Sequence, residues 1–124
     1  MAEKKTIMIV DDEEDIRNTA KAILEKEGYE VFTAANGDEC LKKLSYIKID
    51  LILMDIMMPG TPVKDIVKKI INNRKDTKIA YFSIVSTKEA EREDLLITKD
   101  IEFIQKPFSI TGLAKDVKRI LKKK

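Results

Sequence analysis

Short apolar runs alternate with helix-spaced apolar stripes along the whole chain. This alternation constrains the fold more than any single motif. The runs lie at 6–10, 29–34, 50–54, 78–82 and 101–105 and are rich in Ile and Val. Three of them hold four apolar residues in a row, which fits strands buried on both faces, not strands with one wet face. Between the runs the spacing turns helical. Ile16, Ala20, Ile23 and Leu24 form a stripe that stops at Gly28. Cys40, Leu41 and Leu44 follow the turn signal Asn36-Gly37. Val63, Ile66, Val67, Ile70 and Ile71 follow Pro62, which suits a first helical turn. Ala90 and Leu95, Leu96 and Ile97 make a weaker fourth stripe. A fifth, through Ile110, Leu113, Ala114, Val117, Ile120 and Leu121, follows the candidate N-cap Ser109. Strict strand–helix alternation predicts an α/β fold: a five-stranded parallel sheet with helices on both faces. At 124 residues the expectation is a single domain over 1–124.

Composition narrows the chemistry. With 44% apolar and 37% charged residues the chain has enough of both to bury a core and solvate a surface. Lys and Arg number 24 against 22 Asp and Glu, without the basic excess of a nucleic-acid binder. The Lys122–Lys124 end reads as a solvated terminus that complements the last helix dipole. Histidine is absent, which excludes Ser-His-Asp and Cys-His catalysis and His-ligated metals. The one cysteine, Cys40, excludes disulfide frameworks and makes a reducing, cytoplasmic setting the expectation. No apolar run reaches membrane-spanning length, and the apolar stretch near the start is too short for a signal-peptide core. Carboxylates, hydroxyls, lysines, backbone amides or a bound cation must carry any chemistry.

Ligands of open parallel sheets bind at the carboxyl ends of the strands. Polar residues follow the apolar runs there: Asp11-Asp12-Glu13 after the first, Asp55 after the third, Ser83 at the fourth and Lys106-Pro107 after the fifth. Capping and first-turn acids explain Asp11 or Asp12 without function. They do not explain Asp55. With the first and third strands adjacent, three carboxylates crowd one pocket and repel. A hard divalent cation relieves that repulsion, and Mg²⁺ takes such oxygen ligands. Lys106 is a surface charge in the plain reading, and a counter-ion or phosphoryl ligand opposite the acids. A cis Lys106-Pro107 bond would aim it inward. Ser83, Ser86 and Thr87 compete to supply a hydroxyl. Together these groups suit a phosphoryl group, with an aspartate as its acceptor.

The stretches Ile7-Met8-Ile9-Val10-Asp11-Asp12-Glu13, 50–60 with Asp55-Ile56-Met57-Met58-Pro59-Gly60, and Lys106-Pro107-Phe108 resemble the receiver domain of two-component response regulators, over essentially the whole length. The resemblance implies the flavodoxin-like (βα)5 order 2-1-3-4-5. It implies that Asp55 accepts a phosphoryl group from a sensor histidine kinase or histidine phosphotransfer protein. It implies Mg²⁺ on Asp12, Asp55 and the Met57 carbonyl, with Asp11 acting largely through water. Lys106 would contact the phosphoryl group, Ser83 would be the switch hydroxyl, and Phe103 would take the aromatic switch position without a hydroxyl. Met57 and Val85 flank the family's hydrolytic-water path, and both are apolar here, so the signal is expected to be long-lived. The output surface is expected on the fourth helical stripe, the fifth strand and the last helix, toward a protein target. Unless the sequence is a fragment cut from a longer chain, no effector domain is expected after Lys124, and output by protein contact is the expectation. A phosphorylation-dependent homodimer is compatible with this reading; direct nucleic-acid or membrane binding is not expected. The chain is expected to be a switch and not an enzyme.

The chain departs from the family pattern at Thr61-Pro62-Val63, at Ile84, and at Thr98-Lys99-Asp100. The first two favour a pseudo-receiver, a binding module that does not switch; the intact Asp11, Asp12, Asp55 and Lys106 oppose it. A haloacid-dehalogenase-type phosphatase needs a second aspartate two residues past its nucleophile, where Met57 stands. A flavin domain needs a phosphate-cradling loop, and Asp11-Asp12-Glu13 would repel a phosphate.

Overall fold

A computed structural model describes residues 4–56, 58, 60, 62–73, 76–83, 101–106 and 109–122. The strands are β1 Thr6–Val10, β2 Glu30–Ala34, β3 Leu51–Met54, β4 Lys78–Ser83 and β5 Glu102–Gln105. They form one sheet in the order β2-β1-β3-β4-β5, and every pairing is parallel. The expected order is therefore observed. Among the described residues there are four helices: α1 Glu14–Lys26, α2 Gly37–Leu44, α3 Val63–Asn73 and α4 Ile110–Lys122. The stripe through Ala90 and Leu95–Ile97 lies outside the described residues. No described helix is long and apolar enough to cross a membrane.

The unbroken apolar runs have their reason in the two-sided core. Met8, Val10, Ile52, Met54, Ile79 and Tyr81 meet α2 and α3 through Leu44, Ile66 and Val67. Ile7, Ile9, Leu51, Leu53, Ala80, Phe82 and Ile104 meet α1 and α4 through Leu24, Leu113 and Val117. Successive strand residues point to opposite faces, so each strand feeds both cores.

Local signals set the helix ends. Gly28, at φ 95°, ends α1 in a Schellman turn: its N–H reaches the Glu25 carbonyl and the Tyr29 N–H reaches that of Leu24. Asn36 caps α2 by accepting from the Glu39 N–H at 2.8 Å, and Glu39 accepts from the Ala35 N–H at 3.1 Å. That backbone bond, then Lys43, holds the Glu39 carboxyl below its usual range. Ser109 caps α4 by accepting from the Gly112 N–H at 2.9 Å. Pro62 stands one residue before α3, where its carbonyl accepts from the Asp65 and Ile66 N–H groups.

Candidate functional site

Sheet register brings the acids together. Val10 pairs with Met54, so the next residue of each strand, Asp11 and Asp55, meets at the carboxyl rim. The ladder continues one step past the strands: the Asp55 N–H donates to the Val10 carbonyl at 2.9 Å, and the Asp11 N–H to that of Ala34 at 3.1 Å. Alternation puts both side chains on the face of Ile9 and Leu53, beneath α1 and α4. Asp11 is fully buried, Asp55 is 4% exposed, and Asp12 faces solvent. One oxygen from each of Asp11, Asp12 and Asp55 lies within 4.8 Å of the others.

Lys106 follows β5 and closes the site. Its ammonium donates to Asp11 Oδ2 and lies 3.6 Å from Asp55 Oδ2. It also sits 5.0 Å from the centroid of the Phe82 ring. The lysine side chain is only 10% exposed, so bulk water screens this pair little. Asp11 is held from three further directions. Its Oδ1 accepts from the Glu13 N–H at 2.9 Å, its carbonyl from Arg17 at 2.8 Å, and its N–H is in the ladder.

The donor set fits Mg²⁺. Three carboxylates carry more negative charge than one lysine balances, all ligand atoms are hard oxygens, and the exposed Asp12 leaves room for the waters that Mg²⁺ retains. Asp11, Asp12 and Asp55 are the residues that would hold it.

Not every expected group belongs to this cluster. Phe103 lies on the opposite face, half-buried against the α2–α3 core. Its ring meets Tyr81 edge-on, with centroids 6.5 Å apart and planes at 70°. Burial pushes the Tyr81 hydroxyl up to about 12. Ser83 ends β4 opposite Gln105; its side chain lies outside the described part, as do Met57, Pro59, Thr61, 84–87, Pro107 and Phe108. Two contacts of the site, Arg17 and Phe82, escape a reading of strand-end residues alone. Arg17 falls on the polar side of the first helical stripe, and Phe82 reads as core. Strand parity supplies the missing signal for Phe82: it pairs with Ile104, and Lys106 is two residues further along the same face.

A doubly wound sheet with this acid–lysine rim defines a class, and comparison with known proteins gives the family. The response regulator receiver domain model matches residues 7–118, and the chain belongs to that family. It is 33% identical over 122 residues to the alkaline phosphatase synthesis transcriptional regulatory protein PhoP of Bacillus subtilis, covering 96% of this chain and 49% of that protein. It is 40% identical over 103 residues to the response regulator SaeR of Staphylococcus epidermidis, covering 83% and 44%. The chain thus spans about half the length of the curated relatives it matches. The structure is similar to Vibrio cholerae chemotaxis protein CheY4, with a TM-score of 0.86 and 28% identity over 95% of this chain and 99% of that one. It is similar also to response regulator TrrA of Thermotoga maritima, solved in complex with Mg²⁺-BeF. There the TM-score is 0.81 and identity 38%, covering 94% and 98%.

Proposed function

We propose that the chain is a phosphorylation switch in which Asp55 accepts a phosphoryl group from a phosphohistidine of a sensor kinase or phosphotransfer protein. The observation that carries this reading is the rim itself: three carboxylates within 4.8 Å, with Lys106 bonded to Asp11 and 3.6 Å from Asp55. An Asp55 carboxylate oxygen attacks phosphorus, a P–O bond forms and the P–N bond of the donor breaks. The electron pair leaves on the imidazole nitrogen, which takes up a proton. When bound, Mg²⁺ neutralises phosphoryl and carboxylate charge, as in other phosphoryl-transfer sites. Asp11 and Asp12, with Asp55, would hold it; Lys106 supplies a point charge for a phosphoryl oxygen.

The new group adds about two negative charges beside Lys106. Drawing the lysine from Asp11 toward that group would bias the neighbouring strand-end segments between two arrangements. Ser83 and Phe103 relay the state, and the fifth strand and last helix present it to a protein target. The apolar Met57 and Val85 support slow loss of the phosphoryl group by hydrolysis. The chain acts as a phosphoacceptor that assists its own modification, not as a turnover enzyme. Intact mass after acetyl phosphate and Mg²⁺, with Asp55→Ala alongside, tests this. A single Mg²⁺-dependent phosphoryl adduct missing from the variant is expected. Mg²⁺ binding without an adduct would overturn the switch and leave a constant binding module.

A further inference from the structure

Lys106 has a fixed partner that no carboxylate provides. A lysine head is a strongly hydrated point charge on a flexible four-carbon stem. Facing Asp11 and Asp55 alone, it could swing between them or out past the exposed Asp12. The ring of Phe82 stands on its other side. Phe82 is fully buried, and its ring centroid lies 5.0 Å from Nζ. That is inside the roughly 6 Å range in which an aromatic face attracts a cation. The sheet dictates the contact. Phe82 pairs with Ile104, and Lys106, two residues further along, falls on the same face by alternation.

Filling the core explains part of what Phe82 does, since it packs among Ile104, Leu113 and Val117. A leucine could serve there as well. It would offer no negative face to an ammonium whose side chain is 10% exposed. We infer that Phe82 is a positioning residue for phosphoryl transfer: its ring face holds the Lys106 ammonium between Asp11 and Asp55. This assignment rests on the proposed phosphoacceptor role of Asp55.

The test replaces Phe82 with 4-fluoro-, 3,5-difluoro- and 3,4,5-trifluorophenylalanine in the otherwise native chain. Fluorination weakens the ring's negative face with little change of volume. Rates of phosphorylation by acetyl phosphate at saturating Mg²⁺ are read alongside urea midpoints. The rate is expected to fall stepwise to about a third or a tenth, with the urea midpoints falling only slightly and in step with the weakened contact. Phe82→Leu should fall as far, and Phe82→Tyr should retain most of the rate. In a Lys106→Met background the fluorinated series should be flat. A flat series in the native background, or an equal slope with and without Lys106, overturns the assignment and leaves the phosphoacceptor reading standing. No phosphoryl uptake by the native chain overturns both. Spectra of ε-¹³C-lysine protein then show whether the contact itself exists. An upfield Lys106 ε-methylene resonance that relaxes in Phe82→Leu records the ring face.

Discussion

Replacing Lys106 by Met keeps most of the side chain's volume and removes its charge. Two groups feel the loss. Asp11, fully buried, keeps the Glu13 N–H on Oδ1 but loses the donor on Oδ2. Asp55, 4% exposed, loses a cation 3.6 Å away. At that range Coulomb attraction is about 4–5 kcal/mol for an effective dielectric near 20, before desolvation is set against it. Removing one partner of a buried pair typically costs about 3–5 kcal/mol, because the other charge is left uncompensated. Asp12 opens the cluster to water, so the lower end applies. The expected loss is ~3 kcal/mol in urea unfolding without divalent ions, a midpoint fall of about 1.5 M for a slope near 2 kcal/mol/M. In thermal unfolding it is about 10–15 °C for a domain of this size.

Magnesium should narrow the gap. The variant's three carboxylates lack their internal cation and bind Mg²⁺ more tightly, and a tenfold gain in affinity restores about 1.4 kcal/mol at saturating ion. Lys68→Met, at an exposed position on α3, serves as the control and should change stability by less than about 0.5 kcal/mol. A loss below about 1 kcal/mol for Lys106→Met, or a gap that Mg²⁺ leaves unchanged, would refute the claim that Lys106 is the counter-charge of this cluster.

Three further outcomes follow from particular contacts. A Cβ on Gly37 would stand 2.6 Å from Ile66 Cγ1 and 2.8 Å from its Cδ1, so Gly37→Ala should cost about 1–2 kcal/mol in chemical denaturation, partly relieved by adding Ile66→Val, which removes Cδ1. Lys78 donates to the Ile120 carbonyl at 3.0 Å near the end of α4; Lys78→Met should cost about 0.5–1 kcal/mol and speed amide exchange in that last turn. Burial pushes the Cys40 thiol from 9.0 up to about 12, so the native state keeps a proton that the unfolded chain gives up. Stability should therefore fall between about pH 9 and 10, approaching about 1.4 kcal/mol per unit, and Cys40→Ala removes that part of the slope, leaving the part that buried Tyr81 adds above about pH 10.

The acids were legible because two simple rules place them. An aspartate directly after an unbroken apolar run must lie at the strand's end, and parallel pairing of β1 with β3 sets Asp11 beside Asp55. Lys106 was legible less directly: the run before it, Ile101-Glu102-Phe103-Ile104-Gln105, is broken by polar residues, and only its place after the fifth run marks it. The strand limits differ by a residue where turn chemistry intervenes: the Tyr29 N–H is used by the Schellman turn, so β2 begins at Glu30. Contacts that cross between elements were harder to read. Asp50 reads as the first residue of an apolar run, yet its carboxylate accepts the Thr6 N–H at 2.8 Å and fastens the opposite end of β1 to β3. Arg17 reads as a solvated helix residue, yet it reaches the Asp11 carbonyl. Long polar side chains choose partners by tertiary geometry, which periodicity does not encode. For Phe82 the parity was present in the sequence, but an aromatic residue in an apolar strand reads first as core.

The central claim is that Asp55 carries the phosphoryl group. Borohydride reduction of the protein after acetyl phosphate and Mg²⁺ treatment, followed by peptide sequencing in the mass spectrometer, tests it most directly, because reduction of an aspartyl phosphate leaves homoserine at the modified position. Homoserine at 55 alone, dependent on Mg²⁺, is the predicted result. Homoserine at 11 or 12, or none anywhere while Mg²⁺ still binds, would contradict it.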